Sequence, residues 1–155
     1  MNATGIIKTI ALMALTVLTI GCNSRTAFSE YRNVPLQGWD KDSVVCFDVN
    51  ITDSMATYNV ILSLRHTADY PYQNIWFFVQ NETSGQNDTL EYYLADQRGR
   101  WLGNGFGDRK EMPCLLYEHV RFPHGGIYRY AVRQGMRQEW LRGVTEVGLI
   151  VEKEQ

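Results

Sequence analysis

Cysteine and histidine are scarce in this chain, at three each in 155 residues. Three cysteines cannot build the dense disulfide framework of a small secreted scaffold. His66, His119 and His124 show no paired spacing with cysteine or carboxylate that would make a zinc site. No Gly-x-Ser-x-Gly elbow is present, and no thiol sits beside a candidate base, so no activated nucleophile is legible. Positive charge is not in excess: 15 Lys+Arg stand against 17 Asp+Glu, which offers no cationic surface for phosphate backbones. Nucleic acid is therefore not an expected partner. Long amphipathic helical patterns, internal repeats and a second compositional block are absent as well. What remains has ordinary globular composition, is rich in tyrosine, and is long enough for one domain with its own core.

The first residues stand apart from that domain. Lys8 gives a weakly positive start, and residues 9–20 are apolar apart from scattered threonines. This run is short for a transmembrane helix, which needs about 20 apolar residues. It ends at Thr19-Ile20-Gly21-Cys22, which reads as a signal peptide closing in a lipoprotein box. A small residue before the cysteine opens the bond to a signal peptidase, and the thiol then takes a diacylglycerol. Thr19 stands where leucine is usual, and the other reading is an ordinary signal peptide with a chance cysteine. The expected division is 1–21 signal peptide, 22–30 lipidated Cys22 and tether, and 31–155 folded domain. Loss of Lys8 leaves 14 Lys+Arg (15 − 1) against 17 Asp+Glu, a net −3. Attachment to the bilayer then has to come from the acylated Cys22, not from charge. Residues 23–27 are polar and hold no acidic cluster, which favours a periplasm-facing position.

From Tyr31 onward the dominant period is two. Val45, Phe47, Val49 and Ile51 share one face; after a turn, Tyr58, Val60, Leu62 and Leu64 share another. Half-buried antiparallel strands alternate in this way. Residues 75–79 are apolar on both faces and predict a central strand covered on both sides. Residues 81–88 predict a polar hairpin loop, residues 122–126 a turn, and Val147, Leu149 and Val151 a last strand. Residues 133–142 fit either a short helical turn or an irregular strand edge. Strands at this spacing predict an all-β antiparallel sandwich, jelly-roll or immunoglobulin-like.

The most unusual stretch is 88–111. Leu90, Tyr92 and Leu94 alternate as a strand, which breaks at residues 96–99. Trp101 follows, and then three alternating glycines, Gly103, Gly105 and Gly107. Such spacing suits a bulged loop needing special backbone angles or close backbone approach. Trp101 reads as the anchor pinning that loop to the core. The loop residues Arg100, Trp101, Gly103, Gly105, Gly107 and Asp108 are the candidate interaction site.

The run L-A-D-x-x-G-R-W-L-G-x-G-x-G-D at 94–108 resembles the central signature of the gliding-motility lipoprotein H family (GldH). The blocks at 38–42, 69–75, 143–148 and 150–153 resemble further parts of it, so the likeness covers nearly the whole chain. The resemblance implies a lipid-anchored envelope protein, a structural or assembly subunit of the gliding machinery and its associated secretion system. Its partners would be other envelope proteins of those systems. It supplies no reaction, and no enzymatic activity is expected.

Residues 103–107 look superficially like a phosphate loop, but no helix follows and Met112-Pro113 interrupts, so no cofactor is expected. Asp96, Asp108 and Glu111 could gather calcium, with turn-capping carboxylates as the commoner role, and no metal is expected. Carboxylates such as Glu91 and Asp96 could serve a glycosidase, although every soluble protein offers such pairs. Trp39, Tyr92, Tyr93 and Trp101 could form a sugar platform, making a carbohydrate-binding module the alternative function, although aromatics of a small sandwich are usually core. Cys46 and Cys114 could form a disulfide in an oxidising envelope, or remain two free thiols.

Overall fold

A computed structural model describes residues 25–154, and no helix occurs among them. The expected leader, Cys22 and the start of the expected tether lie outside the described residues. The strands are β1 (Thr26–Asn33), β2 (Trp39–Asp40), β3 (Val45–Ile51), β4 (Tyr58–His66) and β5 (Asn74–Asn81). They continue as β6 (Gln86–Tyr93), β7 (Lys110–Val120), β8 (Gly126–Gln134), β9 (Trp140–Leu141) and β10 (Val144–Lys153). Eight of them form two four-stranded antiparallel sheets in the orders β1-β10-β4-β7 and β3-β8-β5-β6. The chain keeps switching between the sheets, which is jelly-roll connectivity and not the immunoglobulin order. Short β2 and β9 pair beside them through Trp39 opposite Leu141.

The alternating residues meet between the sheets as one core. Phe47, Val49 and Ile51 of β3 and Phe77 and Val79 of β5 face Val60, Leu62 and Leu64 of β4 and Leu149 and Val151 of β10. Full burial of each such side chain stabilises the fold by about 1.5–3 kcal/mol. Leu94, Leu116 and Phe122 are buried as well.

Several details differ from the expected pattern. β1 begins at Thr26, which is already paired in the ladder to β10, so residues 26–30 belong to the sheet and not to a tether. The expected loop at 81–88 shrinks to 82–85, because β5 runs to Asn81 and β6 starts at Gln86. Polar side chains there hid two edge-exposed strand ends. β5 is central in its sheet, yet it is covered on one face only: Trp76 and Phe78 are 37% and 43% exposed. Met112-Pro113, which interrupts the sequence after the glycine run, lies within β7. The strand tolerates it because β7 is an edge, where a missing N–H costs no ladder bond. The ambiguous segment resolves into the end of β8, a turn and β9, with no helical turn.

Candidate functional site

The glycine-rich stretch connects β6 to β7 at one end of the sandwich. A tight turn opens it: the Asp96 carboxylate accepts hydrogen bonds from the backbone N–H of Arg98 and Arg100 and from Arg100 Nε at 2.8 Å. The Arg100 N–H holds the Asp96 carboxyl below its ordinary range, the Arg100 side chain adding to it. Ala95 and Trp101 then bridge, and the Leu102 N–H donates to the Leu94 carbonyl. Trp101 is half-buried against the core, its ring 4.6 Å from that of His66 and 6.4 Å from Tyr70. The loop is therefore pinned by its aromatic residue.

Beyond Trp101 the chain folds back on itself. Asn104 and Glu111 exchange both backbone hydrogen bonds, at 3.0 and 2.7 Å. Gly103 and Gly105 flank that pair where the strands nearly touch. A Cβ on Gly103 would lie 2.6 Å from the Glu111 carbonyl oxygen, and one on Gly105 would lie 1.9 Å from that of Arg109. Gly107 sits at φ +63° with open space around it, so its backbone angle alone favours glycine. Phe106, between the last two glycines, is 98% exposed at the tip, and Leu102 is exposed as well. Asp108 is exposed beside it.

The hairpin base rests on a polar network across the outer face of the first sheet. Glu111 Oε1 accepts from Tyr31 Oη at 2.6 Å and from Ser63 Oγ at 2.7 Å, while Arg65 joins Glu111 Oε2 to Glu146 Oε2. Burial works against the Glu111 charge, but these hydrogen bonds outweigh it and hold its carboxyl below the ordinary value. Tyr31 reaches Glu111 by lying over Gly148, where any side chain would strike the ring. Arg65 stacks 4.0 Å above Tyr31. Sequence reading missed Tyr31, Ser63 and Arg65. The one available signal was a glycine, Gly148, inside an otherwise apolar strand.

The other candidates separate. Asp96, Asp108 and Glu111 do not converge as a calcium set, since Asp96 caps its turn and Glu111 serves the network; no metal-holding cluster of His, Cys, Asp and Glu occurs among the described residues. Glu91 accepts a hydrogen bond from the Asn74 amide, and Asp96 is held in its turn by Arg98 and Arg100. The four aromatics weighed as a sugar platform do not share a surface. Trp39 is 1% exposed, Trp101 is packed inward, Tyr92 donates to the Leu115 carbonyl, and only Tyr93 lies open at 61%. Of the histidines, His119 pairs with Glu154 at the surface, His124 contacts the Gly125 carbonyl, and His66 is buried.

Cys46 and Cys114 are both free. They cannot bridge, because Cys46 faces outward on β3 and Cys114 faces inward on β7, strands at the edges of different sheets. Burial pushes the Cys114 thiol up to about 12. Alkylation of the folded domain at pH 8 is expected to modify Cys46 readily and Cys114 only after denaturation, as read by mass spectrometry. Two thiols reacting at one rate would contradict this placement.

His66 gives the anchor a pH dependence. Its Nδ1 lies 3.0 Å from the Thr67 carbonyl, Nε2 has no partner, and Lys110 lies nearby. Burial lowers its pKa below the ordinary 6.5, and Lys110 adds to that. The unfolded chain then binds the proton more readily, so stability falls as pH drops below about 6.5. The exposed His119–Glu154 pair changes in the opposite direction but is screened by solvent. Thermal melts are expected to fall between pH 7 and 5 in the native chain and to flatten in His66→Phe; an equal fall in both would contradict the assignment.

Among solved structures, the subviral particle protein VP2 of infectious bursal disease virus aligns with a TM-score of 0.32 and 11% identity, covering 83% of this chain and 31% of that one. The gliding motility lipoprotein GldH of Flavobacterium johnsoniae is 38% identical over 152 residues, which is 92% of this chain and 94% of that protein. A GldH homolog from Christiangramia forsetii is 33% identical, over 88% of this chain and 90% of its own length. Neither name carries an enzymatic activity. The GldH lipoprotein family model matches residues 26–151, from the first strand to the last, and the chain belongs to that family.

Proposed function

We propose that the protein is a structural or assembly subunit of the gliding machinery and its associated secretion system, anchored by a diacylglycerol on Cys22 and facing the periplasm. Residues 1–21 are the leader removed on the way. The observation that carries this reading is the 38% identity to a gliding motility lipoprotein along nearly the full length of both chains. Around the glycine hairpin, Asp96 caps a turn, Glu111 serves the polar network and His66 packs on Trp101. The test is complementation of a Flavobacterium johnsoniae strain lacking its own relative. The native chain is expected to restore colony spreading and Cys22→Ala is not, at equal protein levels. Full spreading with a soluble Cys22→Ala chain would remove the anchor from the account.

A second reading, a carbohydrate-binding module, has one observation in its favour. Trp76, Phe78 and Tyr93 stand exposed on the outer face of the second sheet, where Trp76 and Phe78 alternate along β5. Glycan binding lost in Trp76→Ala but kept in Trp101→Ala would favour it.

A further inference from the structure

The loops of the sandwich divide between two poles. Thr26 pairs with Glu152, Tyr58 with Lys153 and Val120, and Ile51 with Gly126, so the start of β1 shares a pole with turns 52–57, 82–85 and 121–125. Asn33, His66, Lys110 and Val144 mark the opposite pole, formed by segments 34–44, 67–73, 94–109 and 135–143. β4 runs nine residues between the poles, about 30 Å at the usual strand rise. Cys22 precedes Thr26 by four residues, which span at most about 14 Å when extended. A lipid on Cys22 therefore holds the first pole at the bilayer, and with the sandwich standing on that pole the second faces away from the membrane. This step rests on the anchoring proposed above.

The far pole is not a neutral end cap. Leu36 is 106% exposed and Phe106 98%, each at the tip of its segment. Between them lies Arg109, which lines one recess with Leu36 and Arg142 and another with Phe106 and Lys110. Arg109, Lys110 and Arg142 make no ion pair with a carboxylate among the described residues, and neither does Arg121 in the 121–125 turn of the first pole. Asp69 and Glu146 also face the first recess, but Glu146 is taken by Arg65. Unpaired guanidinium groups beside exposed aromatic and aliphatic tips form the composition that protein interfaces favour. Standing on the lipid-bearing pole, the sandwich turns these groups away from the host bilayer, where an acidic protein surface complements them.

We infer that this pole docks a partner protein whose surface combines acidic side chains with an apolar pocket for Phe106 or Leu36. The pinned hairpin holds Phe106 in position, so little ordering remains at the moment of binding.

The experiment places a photo-cross-linking residue at position 36, 106, 55 or 127 of the full lipidated chain in its own cells. Met55 and Ile127 are exposed and belong to the membrane pole. Probes at 55 and 127 are expected to label lipid. Probes at 36 and 106 are expected to label the same protein, through peptides rich in Asp and Glu. Arg109→Glu with Arg142→Glu should cut that labelling at least tenfold with an unchanged melting temperature. Lipid labelling at 106, labelling of a polysaccharide or a second copy of this chain, labelling insensitive to charge reversal, or no adduct would each overturn the inference. Intact mass separates the two layers: a chain without diacylglycerol defeats the anchoring, while a lipidated chain giving any of those outcomes defeats only the docking pole.

Discussion

Gly105→Ala is expected to destabilise the domain by about 3 kcal/mol, more than any other substitution in the glycine hairpin. The new Cβ would lie 1.9 Å from a backbone oxygen, which cannot rotate away as a side chain can. Relief requires the two arms to part, which breaks the reciprocal Asn104–Glu111 hydrogen bonds. Overpacking of this kind costs roughly 1–3 kcal/mol, and each lost hydrogen bond adds about 1 kcal/mol. Glu111 would move with its backbone, loosening its contacts to Tyr31, Ser63 and Arg65. Gly103→Ala, with 2.6 Å to its carbonyl neighbour, is expected to cost less. Gly107→Ala meets nothing and loses only about 1–2 kcal/mol to its left-handed angle. Thermal melts read the order directly, with a drop of roughly 10 °C for Gly105→Ala. Equal melting of all three variants would show that the close approach places no constraint on the fold.

Trp101→Ala and Phe106→Ser are expected to separate fold from binding. Both change an aromatic residue of one loop, but Trp101 packs on His66 and Tyr70 while Phe106 touches little beyond solvent. A core Trp→Ala costs about 3–5 kcal/mol; half-burial lowers the expectation to about 2–3 kcal/mol. Opening the lid on His66 also admits water to the unpartnered Nε2. The fall in stability between pH 7 and 5 should therefore flatten in Trp101→Ala, an effect that simple loss of contact area would not produce. Phe106→Ser should change the melting temperature by no more than an exposed substitution does, about 0.5 kcal/mol. A large stability loss in Phe106→Ser, or none in Trp101→Ala, would reverse the roles assigned to them.

What the sequence made legible follows from local periodicity. Strands β3, β4 and β10 alternate so regularly that their inward residues could be named in advance, and they are the ones that fill the core. Trp101 was legible as an anchor because a bulky aromatic among glycines has few other uses. The exposed face of β5 was not, because Trp76 and Phe78 are as apolar as the residues opposite them, and only the sheet order shows that nothing covers them. The network of Tyr31, Ser63, Arg65, Glu111 and Glu146 is equally hidden. Its members come from four strands that are distant in sequence and meet only through the pairing of β1, β10, β4 and β7. The reasons for the glycines were half legible. Their spacing signalled constraint, but whether the missing side chains made room for a partner or for the chain itself depended on where Glu111 and Arg109 returned.

The lipid anchor is tested most directly by one mass measurement, made on the protein extracted from the envelope of its own cells. It predicts a chain that begins at Cys22, lacks residues 1–21 and carries a diacylglycerol on that cysteine, with Cys22→Ala retaining its leader at the mass of the unmodified sequence. A native chain that keeps its leader, or that begins elsewhere with an unmodified Cys22, would contradict it.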